Sequence, residues 1–193
     1  MACLKRREPH LANRAYLLTV DDKSLTWSKD PEKEILAEGI NEIPVFWASL
    51  FRAGDRQLDQ YEGDDGKLEV ANWCTDAEAG KARLKLLRPT IAALLDERSR
   101  ALWEQWVEFL TGQQCQFFKT NAAEVWSLDP EGYEDYWTVL LRAFEEPSAA
   151  TMKAAIERND LSYVKGKVSW DDDEETTCKL AGADHIRHLP WVD

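Results

Sequence analysis

The chain has 193 residues, 36 acidic against 24 basic, with 44% hydrophobic residues and nine tryptophans among them. A net charge of −12 argues against nucleic acid, whose phosphates call for a basic footprint, and against anionic membrane surfaces. So many aromatics exclude wholesale disorder, and no apolar run reaches the roughly 18 residues of a transmembrane helix.

The opening "MACLKRREPHLA" has a basic cluster but no apolar stretch behind it, so it does not read as an export signal. The expectation is a cytoplasmic protein with residues 1–12 as a flexible extension and residues 13–193 as one domain. Order begins at "NRAYLLTV", where Tyr16, Leu18 and Val20 alternate with Ala15, Leu17 and Thr19 as a buried strand. Asp30 and Pro31 then offer a cap and a first helical residue, with Gly39 as the stop of one short helix. In "NEIPVFWASLFRAGD" a second helix is expected, with Ile43, Phe46, Trp47, Leu50 and Phe51 on one face. The runs "RQLDQYEG" and "KLEVANWC" are joined through Asp65 and Gly66, a favourable hairpin turn.

Thr75 and Glu78 have capping-box spacing ahead of a long helical region. Its stripe runs through Leu84, Leu87, Ile91, Leu95, Leu102, Trp106 and Phe109 or Leu110, and Pro89 should kink or split it. "CQFFKTN" reads as a strand. Asp129 and Pro130 open the clearest helix, striped by Tyr133, Tyr136, Trp137, Leu140, Leu141 and Phe144. Ser148 caps another, "LSYVKGKVSW" suggests two short strands, and the end of the chain looks irregular. These elements make a helix-rich α+β domain with a small, mainly antiparallel sheet. Cys3, Cys74, Cys115 and Cys178 are scattered and form no CxxC pair, as expected of free and mostly buried thiols.

Two clusters invite a chemical reading. In "VSWDDDEETTC" five carboxylates, Asp171, Asp172, Asp173, Glu174 and Glu175, follow Trp170. A calcium loop would need alternating ligands and a glycine at the sixth place, and neither occurs. Paired catalytic acids usually come from separate elements. The remaining choice lies between a solvated loop and a docking edge for a basic protein. The second cluster is Cys178, His185 and His188, zinc-type ligands short of the fourth that a structural site needs; surface histidines are the plain alternative. No nucleophile motif and no phosphate loop is present.

Trp47, Trp106 and Trp137 fall on helical stripes and read as core. Trp73, Trp126, Trp170 and Trp191 stand beside turns or in irregular sequence, where core packing at a loop edge is the first reading for each taken singly and a half-exposed indole among acids suits an interface. Trp126 stands ahead of Glu131, Glu134 and Asp135, acids that also favour a helix N-terminus.

"LANRAYLLTVDD" followed by "EIPVFWASLF" resembles the opening of a set of small bacterial proteins that begin Asn-Arg-Ser/Ala-Tyr-Leu. That set is similar to immunity proteins, acidic cytosolic partners that neutralise toxins exchanged between bacteria. The resemblance covers residues 11–53 and carries no binding residues with it. It implies an inhibitor that is not an enzyme, uses no cofactor, and blocks the active site of a basic toxin domain by direct complex formation. The candidate contacts are Trp170, residues 171–175, Trp126, Glu131, Glu134 and Asp135. The alternatives are a metal-dependent hydrolase using Cys178, His185 and His188, or a housekeeping protein with an acidic surface.

Overall fold

The computed structural model describes residues 13–26, 30–63, 66–158, 172–183 and 189–191. The architecture is α+β. Strand β1 (Arg14–Val20) alternates half-buried and buried positions up to Leu17, and the alternation breaks where Leu17 and Leu18 are both buried at a register shift. Helix α1 is a single turn, Pro31–Glu34, and β2 follows at once as Ile35–Ile40. The expected helix reaching to Gly39 is therefore not formed. The apolar run from Ile35 pairs antiparallel with β1 instead, and Gly39 serves close approach rather than a helix stop. A side chain there would meet the Glu42 carbonyl oxygen at 2.2 Å.

The second expected helix is also replaced, by two 3₁₀ segments, Val45–Leu50 and Ala53–Asp55. Every residue of the first is buried, so it has no polar face and needs no amphipathic stripe. Strands β3 (Arg56–Gly63) and β4 (Gly66–Asp76) form the expected hairpin.

Helix α2 (Ala77–Leu94) is capped one residue later than the spacing suggested, by Asp76, whose carboxylate accepts from the Glu78 and Ala79 amides. Thr75 stays in β4, buried. The helix runs on through exposed Pro89, and the break falls at Leu95, before Asp96 caps α3 (Glu97–Thr111). Strand β5 (Phe117–Asn121), helix α4 (Ala123–Trp126), α5 (Pro130–Glu145) and α6 (Ala149–Arg158) follow. Asp129 and Ser148 cap α5 and α6 as expected.

The last helix, α7 (Asp172–Ala181), overturns the loop reading of the acid run, since Asp172, Asp173, Glu174 and Glu175 form its first turn. Acids in that position favour the helix dipole, which outweighs their tendency to extend. The expectation of an irregular end fails at Leu180 and Ala181, which close this helix. The expected extension at residues 1–12 and the strands of residues 161–170 lie outside the described residues.

The sheet has five strands in the order β2-β1-β5-β4-β3, all neighbours antiparallel. One face carries the main core, which joins Leu17, Trp73 and Phe118 to Trp47, Trp103, Trp106, Trp137 and Leu180. Here Trp73 is no loop-edge indole. It is buried in β4 and stacked on Trp137, ring centroids 4.1 Å apart. The other face holds a small cluster, Leu18, Val20 and Ile35, with Leu25 against it. Leu25 belongs to the link after β1, so this link covers part of that face.

Candidate functional site

The elbow between α4 and α5 gathers several of the expected contact residues. It is a closed turn: the Ser127, Leu128 and Asp129 amides donate to the Ala123, Val125 and Trp126 carbonyls. Asp129 then caps α5 through the Gly132 amide at 3.0 Å. A Cβ at position 132 would meet Asp129 Oδ2 at 2.2 Å, so the glycine lets the capping carboxylate sit close to the helix start. Trp126 is half-buried and packs on the main core. Next to it Leu128 stays 53% exposed. A leucine just before a cap usually folds back over the helix start; this one leaves half its surface to solvent.

Acids rim this apolar spot. Glu131, Glu134 and Asp135 are all exposed on the first turns of α5. Glu124 on α4 is exposed too and accepts from the Arg14 amide at 2.8 Å. Glu134 is held by Arg56 of β3, whose Nε and Nη2 donate to its two oxygens at 3.1 and 2.5 Å. Of the α5 acids, Glu131 and Asp135 make no ion pair among the described residues.

The acid run is a separate element, and its side chains, with Trp170 and Asp171, lie outside what the structure describes. Helix α7 packs against α3, the first 3₁₀ segment and β2. Trp191, another of the loop-edge indoles, is half-buried against Trp106 and Phe109.

A second polar constellation lies on the sheet face opposite the main core. Lys119 is fully buried, and its Nζ donates to the Lys23 and Leu25 carbonyls at 2.8 and 2.7 Å and to Asp59 at 2.9 Å. Asp59 also accepts from Gln57 and Asn72, both at 2.8 Å, and Asn72 donates to the Tyr61 hydroxyl at 2.8 Å. Burial raises the Tyr61 hydroxyl above its ordinary range and pushes the Cys74 thiol up to about 11. These groups suit no acid–base or nucleophilic role near neutral pH. With three acceptors around its three donors, Lys119 acts as a latch that pins the link after β1 to the sheet. A groove of about 450 Å³ opens beside the latch, between Lys23, Ser24 and Thr26 on one side and residues 57–60 on the other.

Of the zinc-type candidates, Cys178 is half-buried in α7, while His185 and His188 lie outside the described residues. Among the described residues no group of three or more His, Cys, Asp or Glu could hold a metal ion, and no helix is long and apolar enough to cross a membrane. Among the described residues Cys74, Cys115 and Cys178 form no disulfide, and of these three Cys74 alone is buried.

Sequence reasoning found the acids of the elbow but missed Leu128 and Arg56. The signal for Leu128 was a large apolar residue between the indole and the cap. Arg56 gave no local signal, because its partner Glu134 lies 78 residues away. No protein-family model, characterised protein or solved structure matches this chain.

Proposed function

We propose that the chain is an acidic binding protein of the immunity type, which holds a basic toxin domain in a direct complex and occludes its active site in the cytoplasm. The observation that carries this reading is the elbow, where exposed Leu128 and half-buried Trp126 sit inside a rim of Glu124, Glu131, Glu134 and Asp135. The net charge of −12 would speed encounter with a cationic partner. Desolvation of the leucine and indole would then slow release. Residues 172–175, gathered on the first turn of α7, form a second acidic arm of the same reading, together with Trp170 and Asp171.

The test is rescue of growth by co-expression with a basic toxin encoded beside this chain, compared between the native chain and Leu128→Ala with Glu131→Gln and Asp135→Asn. Loss of rescue with an unchanged melting temperature supports the elbow. Full rescue by that variant, but not by one with residues 171–175 neutralised, moves the site to α7. Stoichiometric zinc in the purified protein would favour a hydrolase built on Cys178, His185 and His188 and overturn the inhibitor reading.

A further inference from the structure

The two edges of the sheet are finished differently. On β2 the Glu38 amide and carbonyl are taken by Ala183, at 3.0 and 2.7 Å, a single bridge that occupies that edge. On β3 no described residue pairs with the outer side.

The register fixes which backbone groups face outward there. Gly63 lies opposite Gly66 across a two-residue connection, and pairing runs unbroken to Arg56 opposite Trp73. The Trp73 amide points away from β3, to the Thr120 hydroxyl on β5 at 3.0 Å. Successive residues of a strand aim their N–H and C=O groups at opposite neighbours. The even-numbered residues of β4 therefore bond residues 57, 59, 61 and 63. The amides and carbonyls of Leu58, Gln60 and Glu62 are left pointing out of the sheet.

Natural edges are blunted by a bulge, a proline, a lysine or an inward-pointing charge. The β3 sequence, RQLDQYEG, has no proline or lysine and pairs without a bulge; its inward charge, Asp59, is neutralised by Lys119. Its Leu58 is 54% exposed, on the same face as Gln60, Glu62 and Glu69. Arg56 and Lys67 are the cations of that face, but Arg56 is bound to Glu134, beyond which lie Glu131 and Asp135. The surplus is acidic. On the opposite face is the groove beside Lys23, Ser24 and Thr26.

We propose that the outer edge of β3 is a strand-addition site for an extended segment of a basic partner. Alternate lysine or arginine side chains of that segment lie over Leu58, Glu62 and Glu69, and short apolar ones lie toward the groove. This rests on the reading of the chain as a binder of basic proteins and names the segment it takes.

The test titrates two probes into the whole isotope-labelled chain at low salt. One is a short synthetic peptide in which lysine and valine alternate. The other is the same peptide N-methylated at every amide, which keeps the charge and leaves neither edge of the peptide able to donate ladder bonds. The expected result is amide shifts centred on Leu58, Gln60 and Glu62, with binding weakened about tenfold or more by N-methylation. Gln60→Pro, which removes an outward donor, weakens it as much; if that variant disturbs amides beyond β3, the peptide pair alone decides. Equal binding of both peptides overturns the edge site and leaves acidic docking standing. Binding of neither overturns both. Self-association of the chain that Gln60→Pro abolishes would place a second copy on the edge and overturn the basic-partner assignment.

Discussion

Lys119, with no exposed surface, meets the Asp59 carboxylate at 2.9 Å on the sheet face opposite the main core. Removing one partner leaves the other charge buried without compensation, which costs about 3–5 kcal/mol. Lys119→Met is therefore expected to lower stability by that amount in urea unfolding. Lys119→Met combined with Asp59→Leu should recover part of it, because a buried pair replaced by apolar groups is often close to neutral. Proteolysis within residues 21–26 should quicken in both variants, since each frees the Lys23 and Leu25 carbonyls. Undiminished stability in the single variant would refute the latch.

Gly39→Ala should destabilise although the position is a strand. The added carbon would meet the Glu42 carbonyl oxygen at 2.2 Å and Pro44 at 2.7 Å. Backbone on that side cannot yield as a side-chain tip would, so a loss of about 1–3 kcal/mol is expected. Gly54→Ala is the control, since nothing stands within 4 Å of a side chain there. A measured difference near zero between the two would show that the approach of the chain at Glu42 is not tight.

The thiol of Cys74 is raised from 9.0 to about 11 by burial, with Lys119 and Lys23 opposing the shift and Asp59 and Asp55 adding to it. For a group raised in the folded state, the stability contribution is whole below the unfolded value. It is lost as pH climbs through the folded one. Thermal midpoints should fall between about pH 9 and pH 11, and Cys74→Ala should flatten part of that fall. Cys115, also raised to about 11 by burial, supplies a second share. At neutral pH neither thiol should react quickly with a disulfide reagent, as neither carries appreciable thiolate.

Arg56 and Glu134 make a two-point contact, but both side chains are about a third exposed or more. Exposed pairs contribute about 0–1 kcal/mol, so Glu134→Gln should leave the melting temperature nearly unchanged. Any loss of partner binding in that variant then reports on docking rather than folding. A large fall in stability would show the pair to be a structural tie between β3 and α5.

What was legible in the sequence was local. The stripe from Tyr133 to Phe144, the Asp129 cap and the β3–β4 hairpin each depend on residues near one another, although Gly66 pairs with Gly63 inside β4 instead of standing in the turn. The misreadings at residues 31–54 share one cause. Ile35 to Ile40 become a strand because β1 is there to pair with, and Val45 to Leu50 are buried on every side, so neither segment shows the period of its final state. The cap falls at Asp76, one place after Thr75, because Thr75 is buried while Asp76 is exposed and its carboxylate accepts from the Glu78 and Ala79 amides. At the candidate site the acids were visible as composition. The exposure of Leu128, the tie from Arg56 and the bare edge of β3 are products of assembly and have no short-range signature.

The strand order β2-β1-β5-β4-β3 carries a consequence for how the chain is made. As it leaves the ribosome, β1 can find β2, and β3 can find β4, but the two pairs share no neighbour until residues 117–121 emerge. Until then each pair has an extra unpaired edge, and Asp59 waits without its cation. The slowest productive event should be the entry of β5 between two preformed halves, a long-range closure of the kind that limits folding rates. Because Lys119 travels on that strand, one step joins the sheet and neutralises its centre.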